Sequence, residues 1–239
     1  MKVPLLRRAI DGLVTLTAYL GQRRRLEPET LVDEPVVKIN LGSGLEVAPG
    51  WINVDASLNA LISRWPGPLQ SALYTRSGYS AFVGREEYLR RLRSNCFVHA
   101  DLTRAFPFVD ASADFLFTSH FLEHLTRDHC IRVLREARRV LKPDGVIRVG
   151  VPDLELAVDL YQAGEARRML DEHFYRPEQG RLAQHRYMYD FSLLAGALEE
   201  AGFADVRKRS YREGDVPDLE LLDNRPDETL FVEASGLRR

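Results

Sequence analysis

The sequence has only two cysteines in 239 residues, Cys96 and Cys130, far apart in the chain and in no metal-binding pattern. That argues against a disulfide framework and a cysteine metal site, and both read as free thiols of a reducing compartment. Excess charge of either sign is also missing: 33 Lys and Arg stand against 35 Asp and Glu, a formal net charge of −2. Without a basic surplus, nucleic acid is not an expected partner. No apolar run reaches the roughly 18 residues that a membrane-spanning helix needs. Internal repeats and low-complexity segments are absent as well.

What is present suits a globular domain. Hydrophobic residues make up 45% and charged residues 28% of the chain, enough apolar content to bury a sizeable core at this length. The size fits one α/β domain with decoration. The N-terminus faintly imitates a signal peptide, basic over Met1 to Arg8 and apolar from Ile10 to Gly21. Asp11 interrupts it, and Arg23 to Arg25 follow without a small-residue cleavage site. Residues 1–35 are therefore read as an amphipathic helix, with Leu6, Ile10, Leu13 and Leu20 on one face, plus a polar linker. Packing on the domain is expected of it, and peripheral contact with an anionic membrane is the alternative. The expected location is cytoplasmic, peripheral to the membrane under that alternative.

The remaining chain, 36–239, is organised around Val36-Val-Lys-Ile-Asn-Leu-Gly-Ser-Gly44 and Trp51-Ile-Asn-Val-Asp55. The first is a β-branched run bounded by Pro35 and Gly42, which predicts a buried strand. Glycines at its end allow a tight turn and close approach to a ligand. Asp55, ending the next strand, is placed to accept ribose hydroxyls. Only Leu45 to Gly50 separate the two segments, so the usual crossover helix is missing or reduced to a turn.

Further strands are predicted at 97–101, 113–119, 146–151, 203–211 and 229–234. Helices are predicted over 128–141, 154–176 and 191–201, with a turn at Lys142-Pro-Asp-Gly145. Strands alternating with helices imply a doubly wound, mostly parallel sheet. The insertion 57–95 reads as two helical pieces broken at Pro66-Gly-Pro68, and it concentrates aromatic residues. The insertion is expected to form either a lid or substrate wall or, equally, structural cover for the sheet; under the first it shapes an acceptor pocket with the Asp- and Pro-rich loop 213–227.

Taken together, Asn40-Leu-Gly-Ser-Gly44, Gly50 to Asp55, Asp101-Leu102, Ser119-His-Phe-Leu-Glu-His-Leu125, Leu134 to Gly145, Val151-Pro-Asp153 and His185 to Asp190 resemble the Rossmann-like S-adenosylmethionine-dependent methyltransferases. The nearest likeness is to bacterial methyltransferases found among glycan-biosynthesis enzymes. The resemblance implies a seven-stranded sheet with an antiparallel last strand, and S-adenosylmethionine as cofactor. It implies that Gly42, Ser43 and Gly44 touch the methionine end, Asp55 the ribose, Asp101 and Leu102 the adenine, and Ser119 and His120 the methyl group. Two departures stand out. Asn40 replaces the usual acid before the first glycine, and Glu46 replaces the third glycine. Asn40 keeps a hydrogen bond but not the charge that faces the cofactor's ammonium, and Glu46 or a carboxylate of the N-terminal segment is the candidate to restore it.

Methyl transfer needs proximity and orientation, and a hydroxyl acceptor also needs a general base. The candidates are His124 first, then His185, with His120, Glu123, Asp153 and Asp190 behind them. Plainer roles compete: a backbone hydrogen bond for His124, a turn for Asp153, a helix N-cap for Asp190. The leading expectation is methylation of a small-molecule or glycan acceptor, at a hydroxyl oxygen. A catalytically degenerate scaffold of a glycan-assembly system is the second. His120-x-x-Glu123-His124 also spells a zinc-peptidase pattern, so a zinc hydrolase is the third. No metal is expected under the leading reading, and the oligomeric state is not legible.

Overall fold

The computed structural model describes residues 12, 14, 16–18, 25–174 and 184–236. Seven strands form one sheet: β1 (Lys38–Leu41), β2 (Trp51–Asp55), β3 (Cys96–His99), β4 (Ala113–Ser119), β5 (Leu141–Pro152), β6 (Asp205–Arg209) and β7 (Thr229–Ser235). Their order is β3-β2-β1-β4-β5-β7-β6. The first five pair in parallel, and β7 runs antiparallel to both β5 and β6. This is the expected doubly wound sheet with its antiparallel last strand. Ile39, Leu116, Ile147 and Val149 are fully buried in it, as strands covered on both faces require. Strand order reverses between β1 and β4, which opens a crevice at their carboxyl ends.

No helix joins β1 to β2. The return fits because β1 has only four residues, about 13 Å at 3.3 Å each, and residues 42–50 can reach about 30 Å. Gly42 and Ser43 both donate their N–H to the Val54 carbonyl, at 2.9 and 3.3 Å. The buried Asn40 amide donates to the Glu46 carbonyl at 2.8 Å and to Asn53 Oδ1 at 3.2 Å. A carboxylate at position 40 has no N–H to give, so the asparagine and the shortened link belong together.

Three segments differ locally from expectation. A second helix starts at Gly67 (Gly67–Leu73) with Pro68 in its first turn, where the missing N–H costs nothing. The expected turn at 142–145 is looped out inside β5, since Ala113 pairs with Leu141 and Phe115 already with Val146. The expected helix 154–176 divides into Leu154–Gln162, Ala166–Met169 and a π turn over Leu170–Phe174, with Gly164 between the first two at φ +82°. Leu6, Ile10, Leu13 and Leu20 lie outside the described residues. Residues 12, 14 and 16–18 are helical, Val14 and Ala18 are buried, and His99 Nε2 lies 3.0 Å from the Val14 carbonyl at the end of β3. Among the described residues no helix is long and apolar enough to cross a membrane.

The loop 213–227 is fastened to the sheet through its acids. Fully buried Arg148, in mid-β5, donates Nε to Asp223 Oδ1 at 2.8 Å and its terminal nitrogens to the Ser210 and Glu213 carbonyls at 2.9 Å. Asp218 accepts from Lys38 Nζ and Trp51 Nε1 at 2.7 and 2.8 Å. Removing one partner of a buried ion pair strands the other charge. Asp223→Ala is therefore expected to cost about 3–5 kcal/mol in denaturant unfolding. A loss under about 1 kcal/mol, the range of an exposed pair, would contradict this account.

Candidate active site

At the switch point the carboxyl ends of β1 and β4 frame an open cleft of about 480 Å³, counting its mouth. Asn40, Gly42 to Gly44 and Glu46 line one side, and Phe117, Ser119 and His120 another. Tyr79 reaches in from the insertion, and Asn224 and Arg225 from the 213–227 loop. The glycine turn is built for closeness. Gly42 has φ +68°, and a Cβ there would lie 2.5 Å from the Phe121 ring. Gly44 has φ +52°, and a Cβ there would strike the Tyr79 hydroxyl. Asp55 closes the turn by accepting Gly44 N–H on one oxygen at 2.9 Å and Ser57 N–H on the other at 2.7 Å. Each oxygen keeps a lone pair for a further donor. The Tyr79 hydroxyl accepts Leu45 N–H at 3.0 Å. Burial first, then the Asp55 charge, push this phenol up to about 12, so it stays a neutral donor.

At the end of β4, His120 sits at φ +51°, a strained conformation for a residue with a Cβ. Its N–H donates to the Gly150 carbonyl at 2.9 Å. One ring nitrogen, Nε2, is 3.0 Å from Thr229 Oγ1, and Nδ1 is 3.4 Å from Glu123 Oε1. Glu123 is fully buried. Burial works to raise its pKa, but the neighbouring His120 ring and the His120 and His124 charges outweigh that and hold it below the usual value.

The other predicted residues are placed as follows. His124 and His185 do not line the cleft; their rings are 5.3 Å apart, and His124 Nε2 lies 3.9 Å from Glu123 Oε1. Asp153 caps the helix Leu154–Gln162 by accepting Glu155 N–H at 3.0 Å, and burial raises its pKa. Asp190 caps the helix Phe191–Glu200 through Leu193 N–H. Asp101 accepts from Thr103 N–H and Oγ1–H at 3.0 and 2.7 Å, and the Leu102 side chain is in the main core. Residues Leu122–His124 form a single 3-10 turn, so His120 and His124 do not share the helical face of a peptidase motif. Sequence reading names Tyr79 among the aromatics of the insertion without giving it a role of its own, and does not single out Asn224 or Arg225. Their segments were flagged, but which side chain turns inward depends on anchors such as Arg148–Asp223.

The residues suit S-adenosylmethionine. Ser43 Oγ and Ser119 Oγ are buried in the cleft wall with no hydrogen-bond partner, which is the state of a polar wall made for a ligand. Asn40 spends its amide N–H groups on protein and keeps its carbonyl oxygen for a donor, while Glu46, 3.6 Å from Arg91, brings a carboxylate to the cleft lining and Arg225 a cation.

A family pattern described as "Methyltransferase domain" matches residues 80–149, from the insertion through β5. The solved structure of the S-adenosylmethionine-dependent methyltransferase SibL is similar at 18% identity and TM-score 0.50, covering 99% of this chain and 60% of that one. Also similar are such methyltransferases from Thermotoga maritima (16% identity, TM-score 0.49, 96% of both chains) and Archaeoglobus fulgidus (14%, 0.47, 95% and 93%). The chain thus spans about three fifths of the length of SibL. No curated protein sequence matches. A methyltransferase-domain pattern thus lies on part of this chain, and the likeness to SibL supports a Rossmann-like fold.

Gly42→Ala tests the turn. It forces the Phe121 ring to move and puts a Cβ at positive φ. The expected cost is about 1–3 kcal/mol in unfolding free energy, as for other overpacked sites, read as a lowered melting temperature.

Proposed function

We propose that the protein transfers a methyl group to a hydroxyl oxygen of a small-molecule or glycan acceptor that enters the cleft between the insertion and the 213–227 loop. The observation that carries this is His120: an imidazole in the cleft wall at the end of β4, backed by a buried carboxylate. A hydroxyl acceptor needs a base in reach, whereas an already nucleophilic one does not. Glu123 stands to His120 as a buried acid stands to the histidine of a triad, fixing its tautomer and steadying its charged form. In this reading Nδ1 carries the proton, 3.4 Å from Glu123 Oε1, and Nε2, 3.0 Å from Thr229 Oγ1, is the basic nitrogen that an acceptor hydroxyl would reach. His124 and His185 stand behind Glu123 in this reading.

The bound cofactor supplies a methyl carbon already activated by sulfonium. Residues Gly42 to Gly44, Asp55 and Tyr79 position it, and orientation alone contributes several kcal/mol. Asn40 and Glu46 take its ammonium and Arg225 its carboxylate. A glycan acceptor is supported by Trp65 and Phe82 of the insertion, 40% and 74% exposed, since exposed aromatic faces suit sugar rings. A role in polysaccharide synthesis and a cytoplasmic location follow from the same reading.

Calorimetric titration with S-adenosylmethionine and S-adenosylhomocysteine tests the cofactor half. Micromolar binding is expected for the wild type, abolished in Asp55→Ala and weakened in an Asn40→Ala, Glu46→Ala pair. Unchanged affinity in that pair removes the charge-compensation argument. For the chemical half, S-adenosylhomocysteine release is followed over a panel of sugar acceptors. His120→Ala is expected to lower kcat by about 10²–10⁴ while cofactor affinity holds. No cofactor binding by the wild type would overturn the methyltransferase reading in favour of a scaffold.

A further inference from the structure

Behind the cleft wall lies a second group of chemical side chains. Glu123, His124 and His185 each present a ligand atom, and these atoms all lie within 4.8 Å of one another. Ligand atoms around a tetrahedral zinc ion stand about 3.3 Å apart at bond lengths near 2.0 Å, and His124 Nε2 is already 3.9 Å from Glu123 Oε1. A small closure completes the set.

Three observations say that a cation belongs there. The Glu123 side chain is 1% exposed, yet neither of its oxygens receives an aligned hydrogen bond. A buried carboxylate is stable only when paired or coordinated. Next, His124 Nδ1 is 3.3 Å from the Gln184 carbonyl. A carbonyl can only accept, so Nδ1 carries the hydrogen and, in the neutral ring, Nε2 turns a lone pair toward the carboxylate. Two lone pairs facing at that distance need a proton or a metal ion between them. A carbonyl on the far nitrogen is also the usual outer partner of a metal-bound histidine. Finally, the backbone holds the two segments together: Arg186 and Tyr187 both donate N–H to the Glu123 carbonyl, at 2.7 and 3.2 Å. His185 is thereby set beside Glu123 although 62 positions away. Partial exposure of His124 and His185 leaves an entry path.

We infer that Glu123, His124 and His185 form a site for one divalent transition-metal ion of the zinc class, clamping the turn after β4 to the segment before the helix Phe191–Glu200. Two imidazoles and one carboxylate suit zinc and its neighbours and not magnesium or calcium, which prefer oxygen ligands. This site is distinct from the peptidase pattern, because His185 replaces His120 as a ligand. It does not depend on methyl transfer.

The test uses the full-length protein, metal-stripped, with zinc and cobalt(II) as probes. One equivalent of zinc is expected to bind with micromolar or tighter affinity and raise the melting temperature. Cobalt(II) should give visible absorption bands of a low-coordinate site. His124→Ala and His185→Ala should each weaken zinc binding at least tenfold, and His129→Ala, a half-buried control histidine outside the cluster, should not. Glu123→Gln is the further variant, read only where its melting transition is cooperative. No stoichiometric zinc binding by the wild type, or binding that both alanine variants retain, overturns the inference and leaves an imidazolium–carboxylate pair. Cofactor affinity is measured alongside. Its loss with zinc binding intact would count against the cleft and not against this site.

Discussion

The return from β1 to β2 without a helix is the constraint on which the cofactor edge depends. A crossover helix would satisfy its own backbone and present its N-terminus to an anion. Here neither is available, and side chains take over both duties. The Asn40 amide pins the Glu46 carbonyl, Asp55 pins Gly44 and Ser57, and the Tyr79 hydroxyl takes the Leu45 N–H. Each of these groups also faces the cleft or borders it. The same hydrogen bonds therefore fold the link and shape this end of the cleft, and position 40 cannot regain a carboxylate without losing the donor that holds the link. This is why loss of charge at Asn40 is weak grounds for reading the domain as inactive.

A second anchor works from the opposite edge. Arg148 is a buried charge in the middle of β5, between a parallel and an antiparallel neighbour, an expensive placement unless every donor is met. Asp223, with Glu233 beside it and two backbone carbonyls, meets them. Asp223 directly precedes Asn224 and Arg225, so the ion pair that stabilises β5 also fixes where the loop's cation enters the cleft. Glu233 adds to this by accepting Asp215 N–H and Val216 N–H. Stability of the sheet and the shape of the cleft are thus carried by the same charges.

The sheet was legible because its signals are local and periodic. Runs such as Val36 to Leu41 and Val146 to Val151 announce themselves by β-branching, and Gly42 and Gly44 mark the turn between β1 and β2. The missing crossover helix could be counted from the spacing of Gly44 and Trp51. What the sequence hid is contact across long separations. Tyr79 meets Gly44 from the insertion, and Arg225 reaches the cleft from a loop whose Asp- and Pro-rich sequence does not say which side chain turns inward. Asp153 and Asp190 are chemically fit to be bases, yet each spends an oxygen on capping a helix. The sequence shows residue type but not which lone pairs remain.

Glu123 shows most sharply how position decides chemistry. In the sequence it is the middle of a short motif and one of several candidate bases. In the fold it is wholly buried, with His120 on one side and His124 on the other. A carboxylate so enclosed cannot reach an acceptor, so its own role is not proton abstraction. It can only act through its neighbours, by setting a tautomer or by holding a cation. His120 faces the cleft and His124 faces away from it toward His185. The same negative charge therefore borders two imidazoles with different surroundings, and in the proposed reading it is the one on the cleft side that takes a proton from an acceptor.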